Sequence, residues 1–137
     1  MSARVAALLI AIASTVLALC SAGTHVVAQR QLYAGTLAFL QGPCARLGIE
    51  TTFVDVATPG AFAAAVQPGR TMVVLAETPS NPRLELADLD ELGAIKGPFT
   101  VPQLIVINEF RDCLEHDYQY PHCGFAAVLH TPAPSPS

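Results

Sequence analysis

The stretch Thr71-Met72-Val73-Val74-Leu75-Ala76 (TMVVLA), running into Glu77-Thr78-Pro79-Ser80-Asn81-Pro82-Arg83 (ETPSNPR), decides the fold. A near-continuous run of β-branched and aliphatic residues, with no polar residue on alternate positions, is the pattern of a strand covered on both faces. The polar segment with two prolines after it cannot continue a strand and reads as a loop. Outward from this strand the chain alternates two periodicities. Toward the amino end lie a short strand at His25–Gln29 (HVVAQ) and a helix over Thr36–Leu47. In that helix Leu37, Leu40, Cys44 and Leu47 recur at three- and four-residue steps, Pro43 forces a kink and Gly48 ends it. A strand at Thr51–Val56 (TTFVDV) comes next. Thr58 then reads as the cap and Pro59 as the first residue of a helix carrying Phe62, Ala65 and Val66, which stops at Pro68-Gly69. Beyond the loop, Leu86–Lys96 reads as a helix with Leu86, Leu89, Leu92 and Ile95 on one stripe, and Gln103–Ile107 (QLIVI) as a further strand.

Strands alternating with helices of this length predict an α/β domain, a mostly parallel sheet with helices on both faces. Ligands of such sheets collect at the carboxyl ends of the strands. The loops there are Arg30–Gly35, Asp55–Pro59 and Glu77–Arg83. The pattern holds over residues 1–108. Residues 109–137 carry aromatics, His and Cys without a period, and read as a divergent, irregular tail ending in Thr131–Ser137 (TPAPSPS).

Composition narrows the class. The 137 residues suit one domain. With 52% hydrophobic residues, 13% charged and a net charge of −4, the chain is neither an acidic or basic disordered tail nor a nucleic-acid binder. So apolar a chain predicts faces covered by a membrane, by a partner subunit or by further polypeptide. Cys20 and Cys44 lie in apolar runs and read as buried free thiols, in keeping with a reducing cytoplasm. Cys113, His116, His122 and Cys123 include zinc-type donors, but the adjacent pair His122-Cys123 is poor spacing for a tetrahedral site, so no metal is expected.

Met1–Cys20 admits two readings. Arg4, the apolar run Val5–Leu19 and the small residues Ser21-Ala22-Gly23 have the layout of a secretory signal. The same residues, rich in Ala and Leu, suit a buried helix closed at Gly23, and the run is short for a membrane span. On residue chemistry alone the two stand level.

Four pieces in order then carry a resemblance: AGTHVV (Ala22–Val27), LYAGT (Leu32–Thr36), LGIETTFVD (Leu47–Asp55) and ETPSNP (Glu77–Pro82), and upstream AIASTVLAL (Ala11–Leu19) looks like the helix that precedes the first of them. Over Ser21–Thr100 the chain resembles the Cys/Met-metabolism (trans-sulfuration) enzymes that use pyridoxal 5'-phosphate (PLP). The resemblance implies the large domain of the PLP-dependent transferase fold, and carbon–sulfur lyase or γ-replacement chemistry on sulfur amino acids such as methionine and cystathionine. It favours the buried helix over the signal, and it implies a cytoplasmic protein with no membrane partner. Members assemble as oligomers, so self-association, or association with an intact homologue, is expected.

The resemblance also assigns site residues. Tyr33 matches the aromatic that stacks on the pyridine ring, Asn81 the amide that bonds the cofactor's phenolic oxygen, and Glu77 a carboxylate supporting the site. The plain alternatives are a packed core Tyr, a turn Asn before Pro82 and a loop Glu. Three positions depart from the family. Leu8-Leu9-Ile10 stand where a Ser/Thr-Gly-Met stretch grips the phosphate. In Val106-Ile107-Asn108-Glu109-Phe110, Ile107 stands where an Asp pairs with the pyridinium nitrogen. Lys96 is the only lysine and lies ahead of the last strand, whereas the family's Schiff-base lysine comes after it. No residue is therefore assigned as catalytic. The chain reads as a truncated, inactive piece whose hold on PLP is weak.

Overall fold

A computed structural model describes residues 3–80, 83–99, 103–108 and 126–130. Helix α1 (Ala3–Leu19) leads into β1 (His25–Gln29) and α2 (Ala34–Phe39), which continues as a π-helical turn, Leu40–Cys44. Then come β2 (Glu50–Val54), α3 (Ala61–Ala65), β3 (Thr71–Glu77), α4 (Leu89–Phe99), β4 (Gln103–Asn108) and β5 (Ala126–His130). The strands form one sheet in the order β2-β1-β3-β4-β5. The first four run parallel, and β5 pairs antiparallel with β4.

The period of two along each central strand sorts side chains to opposite faces. Val26, Ala28, Val73 and Leu75 face one side, where Leu8, Ile12 and Val16 of α1 cover them together with Leu40 and Cys44. Val27, Val74 and Ala76 face the other, against Phe62 and Val66 around α3 and Leu92 and Ile95 of α4. Val73, Val74 and Leu75 are fully buried in the middle strand, as their apolar run predicts. Helices therefore cover both faces.

Helix α1 is a core element. Leu8, Ile12, Val16 and Cys20 recur every four residues and are buried, while Ile10 and Leu17 face outward. Among the described residues no helix is long and apolar enough to cross a membrane. The helix ends at Leu19, so Gly23 does not close it. Gly23 sits instead in the next turn at φ +89°, where its N–H donates to the Gly48 carbonyl (2.9 Å).

Several boundaries differ from expectation for local reasons. Proline lacks an N–H, and Pro43 falls inside a π-helical turn whose extra residue rotates the downstream side chains by about 100°. Leu40 and Cys44 stay buried but Leu47 is turned out to solvent. Thr58 and Pro59 do not start a helix. The Asp55 side chain accepts the Ala57 N–H (3.0 Å) and the Asp55 carbonyl that of Thr58 (3.1 Å), which curls the chain into a turn. Helix α3 begins only after Gly60 at φ +76°. Helix α4 begins at Leu89, because Asp88 accepts the N–H groups of Asp90 and Glu91 (2.9 and 3.0 Å) and so acts as its cap. Leu92 and Ile95 are buried, but Leu86 and Leu89 are exposed. Residues 126–130, inside the stretch expected to be irregular, form strand β5.

Cys20 and Cys44 are buried free thiols. Burial pushes both thiols up, Cys44 to about 11 with a further contribution from Cys20 nearby. Cys113, His116, His122 and Cys123 lie outside the described residues.

Candidate functional site

The strand order places a switch point between β1 and β3. From β1 the chain leaves to α2 on one face, and from β3 it leaves to α4 on the other. Loops diverging from adjacent parallel strands open a crevice at their carboxyl ends, the usual ligand position in such sheets.

The residues at that crevice are wired together. Glu77 closes β3 and is buried at 1% exposure. Its Oε2 accepts the backbone N–H of Tyr33 (2.8 Å), the residue immediately before α2. Two motifs 44 residues apart, LYAGT and ETPSNP, therefore meet through a charged hydrogen bond. Such a bond is worth about 1.5–3 kcal/mol. Tyr33 is half-buried, and its ring borders Gly35 so closely that a Cβ there would lie 2.8 Å from its Cε1. Glycine at position 35 is what leaves the ring its place.

Gln29, fully buried at the end of β1, holds Glu77 from the other side. Its Oε1 accepts the Glu77 N–H (2.9 Å) and its Nε2 donates to the Glu77 carbonyl and to the Gln31 carbonyl (both 2.8 Å). Gln31 donates to Asp55 Oδ1 (3.0 Å) and accepts the Val56 N–H, which ties in the loop after β2. The Ala57 amide and Gln31 hold the Asp55 carboxyl below its usual range. The three loops expected to carry ligands are thus joined by side-chain hydrogen bonds. Gln29 and Gln31 escaped the sequence reading. The signal was Gln29 itself, a polar residue ending an otherwise apolar strand.

Past Glu77 the chain takes a cis Thr78-Pro79 bond. Buried Thr78 and Ser80 accept the N–H groups of Ala87 and Glu85 through their hydroxyls (both 3.1 Å), folding the loop back on itself. Asn81 lies outside the described residues, so Tyr33 and Glu77 are the assigned pair that the fold brings together.

The fit to PLP divides by corner. At the ring corner an aromatic held by a buried carboxylate suits a flat heterocycle. At the phosphate corner the fit fails. Leu8-Leu9-Ile10 lie within α1, with Leu8 packed into the core, so that place offers neither a helix start nor a hydroxyl. Ile107, which the resemblance sets against a carboxylate, pairs in register with Glu77 at the carboxyl end of β4. Lys96 belongs to α4.

A second polar cluster marks the opposite, amino end of the sheet. Buried His25 bonds Thr71 Oγ1 through Nδ1 (2.7 Å) and Thr52 Oγ1 through Nε2 (2.8 Å), joining three strands. Burial is the main cause that lowers its pKa, with Glu50 opposing and Arg70 assisting. Glu50 and Arg70 form an exposed ion pair at 2.5 Å. Among the described residues no group of three His, Cys, Asp or Glu could hold a metal ion.

The family model for Cys/Met metabolism PLP-dependent enzymes matches residues 3–110, most of the chain. The chain belongs to this family. It is 48% identical over 84 residues to a methionine gamma-lyase of Arabidopsis thaliana, covering 61% of this chain and 19% of the relative. An L-methionine gamma-lyase of Porphyromonas gingivalis is 42% identical over 121 residues, 88% of this chain and 30% of that protein. Among solved structures, one from work on the O-acetylhomoserine sulfhydrylase of Wolinella succinogenes superposes with a TM-score of 0.64 at 36% identity, over 70% of this chain and 27% of that one. The chain thus spans less than a third of the length of these relatives. The Cys/Met-metabolism family is PLP-dependent, and its α/β framework is the one described above.

Proposed function

We propose that residues 1–137 supply the framework and the ring-stacking corner of a PLP site belonging to a carbon–sulfur lyase or γ-replacement protein of sulfur amino-acid metabolism. The observation that carries this reading is the Tyr33–Glu77 hydrogen bond at the switch point, which joins two family motifs where a ligand would sit. In this reading Tyr33 lies against the pyridine ring, Glu77 holds the backbone that presents Tyr33, and Asn81 contacts the ring's phenolic oxygen. Bound PLP supplies an electron sink for carbanions. This chain's part is to bind and orient the ring.

The 137 residues alone do not turn over substrate. Leu8-Leu9-Ile10 give the phosphate no grip, Ile107 provides no carboxylate, and Lys96 stands on α4, ahead of β4. The protein is cytoplasmic. Association with an intact homologue is favoured by large apolar side chains left at the surface, Ile10 and Leu17 on α1 and Leu84, Leu86 and Leu89 before and at the start of α4.

The test is an absorbance titration of PLP with the chain, then 2-oxo acid assays with methionine and cystathionine. The expected result is a weak spectral perturbation that Tyr33→Ala abolishes, and no turnover above that of free PLP. A perturbation unchanged by Tyr33→Ala refutes the ring assignment. Turnover that Lys96→Ala removes refutes the reading of the chain as inactive.

A further inference from the structure

We infer that Gln29 is a positioning residue for Tyr33, acting through Glu77. The ladder between β1 and β3 pairs Val26 with Val73, Val27 with Val74 and Ala28 with Leu75, and then stops as β1 turns off toward α2. Strand β3 continues to Glu77, whose N–H and carbonyl on the β1 side would lose their partners. The Gln29 side chain replaces the missing strand. A carboxamide carries the same donor and acceptor as a peptide unit, and it takes both backbone groups of Glu77 (2.9 and 2.8 Å). Its second N–H reaches the Gln31 carbonyl, which sets the path from β1 into the Tyr33 loop.

This arrangement fixes Glu77 at two backbone atoms and so aims its Oε2 at the Tyr33 N–H (2.8 Å). Burial sharpens the constraint, since Gln29 is 0% exposed and Glu77 1% exposed, so water does not compete for these bonds. Leucine in place of Gln29 would fill similar space yet leave two backbone groups of Glu77 unpartnered. Glu77 would then relax toward other donors, and the Tyr33 loop would lose its anchor. The role of Tyr33 as a ring-stacking residue rests on the function proposed above. The Gln29–Glu77–Tyr33 connection does not.

The experiment is amide hydrogen exchange by NMR on the 137-residue chain. In the wild type, the Gln29 side-chain amide protons should exchange far more slowly than those of exposed Gln41. In Gln29→Leu the Tyr33 backbone amide should exchange about tenfold faster or more, as expected for losing a charged hydrogen bond. Val27 and Val74 should keep their protection. Glu77→Gln, which preserves an acceptor oxygen, should retain more Tyr33 protection than Glu77→Leu. Gln29 protons exchanging at the rate of Gln41 in the wild type would overturn the inference without any variant, as would Gln29→Leu with Tyr33 protection unchanged. Adding PLP separates the two readings. Tyr33 ring resonances that shift in the wild type and shift less in Gln29→Leu support both. A wild-type ring unmoved by PLP refutes the cofactor role alone, because the exchange rates still decide the connection.

Discussion

Acidification should weaken this fold at His25. Thr71 Oγ1 accepts the Gln67 N–H (2.8 Å) and keeps its own hydrogen to donate to His25 Nδ1; in that tautomer Nε2–H donates to Thr52. Neutral imidazole satisfies all three strands. A protonated ring would donate from both nitrogens and bring a second donor onto Thr71. Burial adds the main cost of charging it. The folded pKa is therefore lowered, while the unfolded chain titrates near ~6.5. Above that value both states are neutral and nothing is lost. As pH falls below it the unfolded state takes up a proton that the folded state refuses, so stability declines until the lowered folded pKa is reached.

The slope cannot exceed about 1.4 kcal/mol per pH unit, which caps the loss between pH 7 and pH 5 at about 2 kcal/mol. Glu50 attracts the charged ring, though exposed and paired with Arg70, so the loss stays below that cap. Glu50 and Asp55 have lowered pKa values, so their contributions are lost only further into the acid. The assay is urea unfolding monitored by circular dichroism at pH 7.5, 6.5, 5.5 and 5.0. With an m-value of about 2 kcal/mol per molar, the midpoint should fall with pH by no more than about 1 M in the wild type. His25→Gln, whose amide can serve both threonines but does not titrate, should flatten that slope. An identical pH slope in the variant, or a wild type more stable at pH 5 than at pH 7, would refute the reasoning.

Three further outcomes are expected. Gly48→Ala should cost about 1–2 kcal/mol in thermal or urea unfolding, because Gly48 sits at φ +76° and a Cβ would press on Ala22 at 3.2 Å. Leu92→Ala should destabilise by about 2–5 kcal/mol, whereas Leu89→Ala, three residues earlier but 58% exposed, should change stability by less than about 0.5 kcal/mol in the same assay. Cys44, with its thiol pushed up to about 11, should resist iodoacetamide at pH 8 in the folded chain and react at the ordinary thiol rate in urea, as read by peptide mapping.

Residues close together in the chain determined much of this protein. The uninterrupted run TMVVLA had to be a strand covered on both faces, because no alternation left a side for water, and β3 lies in the middle of the sheet. The alternation of strands and helices settled the α/β class, since each helix buries one stripe and each strand keeps a period of two. The order of LYAGT and ETPSNP identified the family and marked Tyr33 and Glu77. Periodicity also misled where one local bond or one extra residue changed the phase. Asp88 capped α4 three residues beyond the expected start, and the π turn at Pro43 swung Leu47 outward. Strand β5 left no legible period, and its place came from pairing with β4.

Only the tertiary structure decided the site. Strand order is a choice among long-range pairings that the alternation of elements does not specify, and it alone puts β1 beside β3 and opens the crevice between them. Gln29, unremarkable in HVVAQ, acquires its meaning from the two backbone groups of Glu77, 48 residues away in sequence, that it reaches where the ladder ends. His25 likewise became a three-strand junction only once Thr52 and Thr71 were folded onto it. Packing patterns are local and repeat along the chain, so they can be read from it. Hydrogen-bond partners across a sheet are fixed by register, which exists only after the strands have found one another.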